Sequence, residues 1–226
     1  MSISAIILAG GQGSRMNLNK NKVYLEIGDH LVIDYSLNVF NQIEEISEII
    51  CVYRSGERSF LEQRVNKIVT NKNIKYINGG RERKDSVSNA LKIVNSKNDF
   101  FLVHDGARPF ITKDFILSLI KSVKIYGAVI PGVAIKDTIK MIDNGVVDKT
   151  LDRSKLVAIQ TPQIFNIKHK GHLIEPKTKG TDDSSFIEKN NDVKLVEGLR
   201  YNIKITTRED MWLANCIVRK VAEFNW

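Results

Sequence analysis

The chain has 226 residues, of which 42% are hydrophobic and 27% charged, and its formal net charge is +8. This length accommodates one sizeable α/β domain, and the hydrophobic fraction is ordinary for a globular protein. No apolar run is long enough to span a membrane and no signal-peptide pattern opens the chain, so we expect a cytoplasmic protein. The lysines are scattered, whereas a nucleic-acid-binding protein would usually cluster them with aromatic residues. An anionic small substrate accounts for the charge as well as RNA would.

Cysteine and histidine usage gives no sign of a metal site or a disulfide. Cys51 and Cys216 lie far apart, each in an apolar context, so we expect both to be buried free thiols. His169 and His172 have no carboxylate or cysteine close by in sequence, which favours a solvated loop over a metal-binding pair.

The first predicted element is a strand over residues 5–9 (AIILA), a continuous apolar run of the kind found in buried parallel strands. Glycines follow it at once, and cations come next: Gly10, Gly11, Gly13, Arg15, Lys20 and Lys22. Exposed backbone amides with cations beyond them suit a polyphosphate. The spacing matches neither common phosphate loop, because Arg15 stands where a Walker A loop has Gly-Lys and Met16 where the dinucleotide fingerprint has its third glycine. A plain glycine-rich turn is therefore the alternative.

Strands and helices alternate along the rest of the chain, which predicts a doubly wound α/β sheet. We predict strands over 46–53, 74–77, 100–103, 128–131, 193–197 and 203–206, and helices over 34–40, 59–69 and 81–94, after Thr112 and after Thr207. Asn144-Gly145 between alternating runs predicts a β-hairpin. We therefore expect a single domain over 1–226, with 135–153 as an inserted β-arm.

Several polar residues stand at predicted strand or helix ends. Asp105 and Arg108 follow the strand over 100–103, where open α/β sheets bind ligands, although an ion pair bracing a turn is equally compatible. Ser86 lies near a helix start, and on sequence alone a helix-cap role is favoured. Asp182 and Asp183 are interpreted as acids at the N-terminus of a helix.

Eight segments, taken in order, resemble one family. They are LAGGQGSRM (8–16), GGRERKDSV (79–87), HDGARP (104–109), IKDTIK (135–140), LDRSKL (151–156), QTPQIF (160–165), TDDSS (181–185) and NIKITT (202–207). Each motif alone is weak, but together they resemble the 2-C-methyl-D-erythritol 4-phosphate cytidylyltransferase family of the non-mevalonate isoprenoid pathway. The resemblance spans most of the chain and implies a Rossmann-like, mostly parallel nucleotidylyltransferase sheet with a projecting β-hairpin arm.

The resemblance implies an enzyme that joins CTP to 2-C-methyl-D-erythritol 4-phosphate and releases pyrophosphate, by in-line attack on the α-phosphate. It implies charge-stabilising catalytic roles for Arg15, Lys22, Arg153 and Lys204. It assigns CTP binding to Ala9, Gly10, Gly11, Gly13, Gly80, Arg83, Ser86, Asp105 and Gly106, and contacts to the second substrate to Arg108, Thr138 and Thr161. It also implies a homodimer in which the arm, with Thr138 and Arg153, reaches the partner's site.

The chemistry implies Mg²⁺ or another divalent cation, since an ion bridging the phosphates offsets their charge. Asp105 is the best candidate for its ligand, because no carboxylate cluster of metal-binding geometry is evident in the sequence.

The chain departs from the family pattern around the lysine. Asn21-Lys22-Val23 stands where the family usually has Pro-Lys-Gln, which we expect to loosen the loop before Lys22. The spacing to Tyr24 favours Lys22 over Lys20 as the catalytic lysine. Gly106 replaces a frequent alanine, and we expect this exchange to be nearly neutral.

Four alternatives remain at this point. A ribitol 5-phosphate cytidylyltransferase making CDP-ribitol is the nearest, although the HDGARP and LDRS segments favour the methylerythritol family. A non-catalytic nucleotide-binding relative would not need cations for both reacting phosphates. A dinucleotide-dependent dehydrogenase lacks its third glycine here. An RNA-binding domain would bind oligonucleotides with an affinity that falls steeply as the salt concentration rises.

Overall fold

A computed structural model describes residues 1–11, 21–176, 180–189 and 193–220. Its strands are β1 (Ile3–Leu8), β2 (Glu26–Ile27), β3 (His30–Leu31), β4 (Ile46–Tyr53), β5 (Asn73–Asn78), β6 (Phe100–Asp105), β7 (Ala128–Ala134), β8 (Lys140–Asp143), β9 (Val146–Thr150), β10 (Val157–Ile159), β11 (Gln163–Asn166) and β12 (Lys194–Glu197). Its α-helices are α1 (Val32–Asn41), α2 (Arg58–Ile68), α3 (Arg83–Lys92), α4 (Lys113–Tyr126), α5 (Lys170–Ile174) and α6 (Arg208–Lys220).

Eight of the described strands form one mixed, mostly parallel sheet, in the order β10-β7-β11-β6-β1-β4-β5 with β12 also paired to β7. Strand β1 lies between β4 and β6 and is parallel to both. Strand β11 runs antiparallel to β6 and β7, so it is the strand that breaks the parallel run in the middle of the sheet. The chain leaves β1 towards β4 and β5 and later returns to β6 on the other side. This change of direction opens a crevice at the carboxyl ends of β1 and β6, where α/β sheets bind ligands.

Helices cover both faces of the sheet because each carries an apolar stripe. Helices α1, α2 and α4 pack on one face, with Leu37, Leu61 and Ile116 buried among them. Helices α3 and α5 pack on the other face through Val87, Leu91 and Leu173. The predicted doubly wound α/β architecture is confirmed.

Most predicted elements are present within a few residues of their expected bounds. Strand β4 has the predicted bounds, and Thr112 caps α4 by accepting a hydrogen bond from the backbone N–H of Phe115. The predicted strand over 203–206 is wrong: this segment has no ladder partner among the described strands, and one backbone bond, from Ile205 N to Ala107 O (2.8 Å), attaches it. The helix predicted to start at Asp182 and Asp183 is only the 3₁₀ turn Ser184–Phe186.

The predicted hairpin is present as β8 and β9, which form a two-stranded sheet separate from the central one. Asn144 and Gly145 both have positive φ, of 46° and 83°, as a tight two-residue hairpin turn requires. Every residue of the two strands is exposed, including Ile142 at 66% and Val146 at 70%.

None of the described helices combines the length and the apolar character needed to cross a bilayer. The two cysteines differ in environment. Cys51 is a free thiol buried in β4, and burial raises its pKa to about 12, so it stays protonated and unreactive. Cys216 is exposed on α6, so the expectation that it is buried is wrong: it lies on the solvent face of an amphipathic helix whose inward residues include Ala214 and Val218.

Candidate active site

A cavity of about 540 Å³ opens at the carboxyl ends of β1, β4, β5 and β6. Its volume is in the range of small-molecule sites. Two glycine turns, several cationic side chains and few carboxylates contribute to its lining. The lining includes Gly10, Gly11, Lys22, Arg54, Ser55, Gly79, Gly80, Arg81, Glu82, Arg83, Ser86, Asp105 and Lys204. The excess of positive charge suits a polyphosphate ligand.

The cavity brings together eight of the site residues predicted from sequence: Gly10, Gly11, Lys22, Gly80, Arg83, Ser86, Asp105 and Lys204. Four others do not line it: Ala9, Gly106, Arg108 and Thr161. Thr138 and Arg153 are exposed residues at the base of the hairpin arm and are not part of the lining. The predicted roles of Gly13 and Arg15 concern residues outside the described ones.

Asp105 is the anionic centre of the cavity. It is 7% exposed, its Oδ1 accepts a hydrogen bond from Arg83 Nε at 3.0 Å, and its Oδ2 lies 2.7 Å from Lys204 Nζ. Arg108 Nε is farther away, 4.0 Å from Oδ2. Burial alone would raise the pKa of Asp105, but Arg83 and Lys204 outweigh it and hold that pKa well below its usual range. Asp105 is therefore a fixed anion that orients two cations at the cavity wall, rather than only one half of a turn-bracing pair with Arg108.

Arg83 is held by a second carboxylate that the sequence analysis assigned only to a helix start. Asp183 is fully buried, and its two oxygens accept from Nη1 and Nη2 of Arg83, each at 2.8 Å. This bidentate geometry fixes the plane of the guanidinium. The contact joins positions 100 residues apart. The TDDSS segment was the only sequence signal that could have pointed to it.

Gly80 and Ser86 form a tight turn at the start of α3. Ser86 Oγ accepts from Gly80 N at 3.0 Å and donates to the carbonyl of Glu82. A Cβ on Gly80 would lie 2.2 Å from Asp85 Cβ, so only glycine fits there. The favoured helix-cap interpretation of Ser86 is wrong, since Glu82 is the N-cap residue and Ser86 lies inside the helix. The serine instead braces the glycine turn that faces the cavity.

Thr161 forms a hydrogen bond with the backbone of Asp105. Its Oγ1 accepts from the backbone N–H of Asp105 at 3.0 Å and lies 3.2 Å from His104 Nδ1. The other ring nitrogen of His104 lies 3.0 Å from the carbonyl oxygen of Arg108, which can only accept. His104 Nε2 therefore carries the proton, and Thr161 donates its own proton to Nδ1.

His104 should make the protein less stable in mild acid. Burial lowers its pKa from 6.5 to about 4. Asp105 and the hydrogen bond to the Arg108 carbonyl oppose this shift, and the positive charges of Arg108 and Lys204 assist it. The unfolded chain then binds the proton more readily between these values, so stability is complete above pH 6.5 and is lost as pH falls towards 4. We expect the free energy of unfolding in urea to fall by about 2 kcal/mol from this group between pH 7.5 and 5. In His104→Gln this part of the pH dependence should disappear; an unchanged slope would contradict the assignment.

Arg108 and Asn202 form a buried polar contact next to this group. Nη1 of Arg108 donates to the carbonyl of Asn202 at 2.8 Å, and Asn202 Nδ2 donates to the carbonyl of Thr161 at 3.0 Å. Arg108 Nε and Asn202 Oδ1 are buried and have no hydrogen-bond partner among the described residues. Neither residue lines the cavity, so these two atoms suit a buried water rather than direct contact with a ligand.

Asn21 itself is held in place by its side chain. The rest of the loop before Lys22, residues 12–20, lies outside the described residues, so the expected loosening of that loop stays a prediction. Asn21 is 2% exposed and caps the 3₁₀ helix Lys22–Tyr24 by accepting from Val23 N. Its φ of −63° is the value that a proline ring imposes. The backbone conformation of a proline is therefore kept, with side-chain hydrogen bonds in place of the ring.

We expected the exchange of Gly106 for alanine to be nearly neutral, but the space around Gly106 is tight. A Cβ on Gly106 would lie 3.0 Å from the carbonyl oxygen of Leu8, which already accepts from Gly106 N. An alanine would therefore force the ends of β1 and β6 apart by a few tenths of an ångström.

Sequence reasoning missed two arginines of the cavity wall. Arg54 follows β4 and Arg81 follows the Gly79-Gly80 turn after β5, and both line the cavity. Each stands at the carboxyl end of a strand, a position that could have flagged them in the sequence.

The described residues do not offer a metal site built by the protein alone. They contain no group of three or more histidine, cysteine or acidic side chains arranged to hold an ion. Asp105, the predicted ligand, already uses Oδ1 for Arg83 and Oδ2 for Lys204. Its carboxylate does not fit direct coordination in this arrangement.

The chain matches one family of known proteins over nearly its full length. The family model of 2-C-methyl-D-erythritol 4-phosphate cytidylyltransferase matches residues 3–220. A relative of that name from Caldanaerobacter subterraneus subsp. tengcongensis is 43% identical over 97% of this chain and 100% of its own length. One from Geobacillus thermodenitrificans is 40% identical over 99% of this chain and 100% of its own length.

A solved structure of the same family has the same fold. The crystal structure of 4-diphosphocytidyl-2C-methyl-D-erythritol synthase from Anaerococcus prevotii superposes with a TM-score of 0.84 at 35% identity, covering 97% of this chain and 96% of that one. Fold, cavity and sequence therefore lead to one conclusion: the chain belongs to the 2-C-methyl-D-erythritol 4-phosphate cytidylyltransferase family.

Proposed function

We propose that this chain transfers a cytidylyl group from CTP to 2-C-methyl-D-erythritol 4-phosphate, forming 4-diphosphocytidyl-2-C-methyl-D-erythritol and pyrophosphate. The observation that carries the proposal is the cation-rich cavity at the carboxyl ends of β1, β4, β5 and β6, in a chain matched by the family model over residues 3–220. Both reactants are anionic, so catalysis must consist mainly of positioning and charge neutralisation.

The nucleotide lies on the side of the cavity formed by glycine turns. Gly10 and Gly11 follow β1 and Gly80 follows β5, so their backbone groups reach a ligand without side chains in the way. Ser86 keeps the Gly80 turn closed, and Arg83 is held rigid by Asp183 and Asp105. We assign this side to the cytosine and ribose.

Charge develops where the phosphate of the second substrate attacks the α-phosphorus. Lys22 and Lys204 both line the cavity and come from opposite ends of the chain. Asp105 holds Lys204 Nζ at 2.7 Å and so keeps this ammonium at the cavity edge before the substrate arrives. A cation already in place needs little reorganisation in the transition state.

The divalent ion is part of the proposal as a companion of CTP. Mg²⁺ is usually held by one or two carboxylates together with substrate phosphates and waters. When bound, it would neutralise charge on the triphosphate. Asp105 could hold it only through an ordered water or after Lys204 has moved, since both carboxylate oxygens are engaged.

We also propose a homodimer formed through the 135–153 arm. An isolated two-stranded hairpin is marginal in water, yet β8 and β9 expose Ile142, Val146 and Val147. Arg153 does not line the cavity of its own chain and donates to the Lys136 carbonyl instead. A role for Arg153 and Thr138 in the transfer therefore requires the site of a partner subunit.

The test is pyrophosphate release with CTP, Mg²⁺ and either 2-C-methyl-D-erythritol 4-phosphate or ribitol 5-phosphate, with ATP, GTP and UTP as controls. We expect release with CTP and the methylerythritol substrate alone. Release with ribitol 5-phosphate only would support the same transfer mechanism with ribitol 5-phosphate as the second substrate. No release with either would favour a non-catalytic relative. The cytoplasmic location stays a prediction, which cell fractionation would test.

A further inference from the structure

One buried side chain joins three segments around the cavity. Asn21 donates both protons of its amide, one to the carbonyl of Ala9 at 2.7 Å and one to Glu57 Oε2 at 2.8 Å. Its Oδ1 accepts from Val23 N at 3.3 Å. Ala9 follows β1, Val23 belongs to the turn that contains Lys22, and Glu57 precedes α2. Each amide atom of Asn21 therefore has a partner, and the side chain is 2% exposed.

Glu57 stands at the N-cap of α2 without capping it. Serine, threonine, aspartate and asparagine are the preferred residues there because their short side chains bond the first free N–H groups. The Glu57 side chain makes no such bond and reaches Asn21 instead. The stability that a capping side chain would give to α2 is thus forgone in favour of a contact across the fold.

The contact connects two walls of the cavity. Lys22 comes directly after Asn21, while Arg54 and Ser55 lie in the short loop that ends at Glu57, and all three line the cavity. Glu57 N also donates to the Arg54 carbonyl at 2.9 Å, so this loop is closed on the residue that holds Asn21. A change at either partner of the Asn21–Glu57 hydrogen bond would let the walls move relative to each other.

We propose that Asn21 and Glu57 are positioning residues that set the place of Lys22 relative to Arg54 for the transfer reaction. The inference rests on the proposed function, because it gives Lys22 and Arg54 a phosphate to act on. Glu57 does not line the cavity. Asn21 does, but its amide atoms are engaged by Ala9, Glu57 and Val23. Their effect comes through the cations, whose misplacement by about 1 Å can cost on the order of 100-fold in rate.

The experiment compares Asn21→Ala, Glu57→Ala, the double variant and Glu57→Gln. We expect both single alanine variants to lower kcat for pyrophosphate release by about 10-fold or more. The double variant should resemble the single ones, since all three lose the same hydrogen bond. Glu57→Gln should keep a rate close to wild type, because a glutamine oxygen still accepts from Asn21. Glu62→Gln is the matched control: it makes the same change within α2, at a carboxylate whose ion-pair partner is the exposed Arg58.

Melting temperature and the Kd for CTP are measured on the same samples. The proposal is overturned if the alanine variants keep the wild-type kcat, or if Glu57→Gln loses as much as Glu57→Ala at similar melting temperatures. If Asn21→Ala does not fold, the comparison of Glu57→Ala with Glu57→Gln still decides. Absence of transfer by the wild-type protein would refute the proposed function itself. In that case an unchanged Kd for CTP in the alanine variants would also refute the positioning role of Asn21 and Glu57.

Discussion

Lys204→Ala should slow pyrophosphate release by about 100- to 1,000-fold at saturating CTP, the range expected when one preorganised charge-stabilising donor is lost. The Kd for CTP should stay within about twofold, because an interaction made only in the transition state leaves ground-state binding intact. The structural reason is that Lys204 reaches the cavity from the segment before α6, where Asp105 Oδ2 holds its ammonium at 2.7 Å.

The loss should not come from a collapse of the site. Asp105 also accepts a hydrogen bond from Arg83 at 3.0 Å, so we expect its carboxylate to stay compensated when Lys204 is removed. Lys194→Ala is the control, since Lys194 lies in β12 with its ammonium 5.0 Å from the centre of the Tyr126 ring and does not line the cavity. Kinetics in a coupled pyrophosphate assay and calorimetric titration with CTP separate the two effects. A parallel loss of CTP affinity would contradict the role assigned to Lys204.

The parts of the site that lie next to each other in sequence were predictable. A continuous apolar run followed by glycines is typical of a buried strand with a tight turn, and Gly10 and Gly11 do line the cavity after β1. Asp105 follows the same logic at the end of β6. In both cases a local pattern determines the local structure, and the parallel sheet then brings the two strand ends together.

The contacts that orient the site were not predictable, because they join distant segments. Nothing around Asp183 shows that its carboxylate will meet Arg83, since that depends on how the segment after β11 packs against α3. The prediction of a strand over 203–206 was wrong for the same reason. Its apolar–polar alternation is typical of a strand, but a strand also needs a neighbour in the sheet. Strand β11 was missed because it has only four residues and follows Pro162.

Asn21 shows that the effect of a departure from a family pattern depends on contacts that the sequence does not reveal. A missing proline suggested a looser loop, since proline restricts the unfolded chain. The side-chain amide supplies the restraint by another route, with hydrogen bonds to Ala9 and Glu57. Only the tertiary structure reveals that the partners are in reach.

Two inactive variants should restore each other's activity if the arm completes the partner's site. Arg153→Ala and Lys204→Ala are each expected to be nearly inactive alone. Co-expressed with different tags and purified through both tags, a hybrid dimer contains one site with Lys204 from one chain and Arg153 from the other. That site is intact, whereas the second site lacks both cations. We therefore expect the hybrid to recover about half of the wild-type rate per dimer.

The control uses two residues that line the same cavity. Lys22 and Lys204 both belong to the wall formed by a single chain, so a hybrid of Lys22→Ala with Lys204→Ala has one missing cation in each site and should stay inactive. Recovery in this control would show that activity returns for another reason, such as contaminating wild-type enzyme. No recovery in the Arg153–Lys204 hybrid, with its dimeric state verified by sedimentation, would place Arg153 in the site of its own chain. The exposed arm would then need a structural explanation of its own, because Ile142 and Val146 would still require an apolar partner.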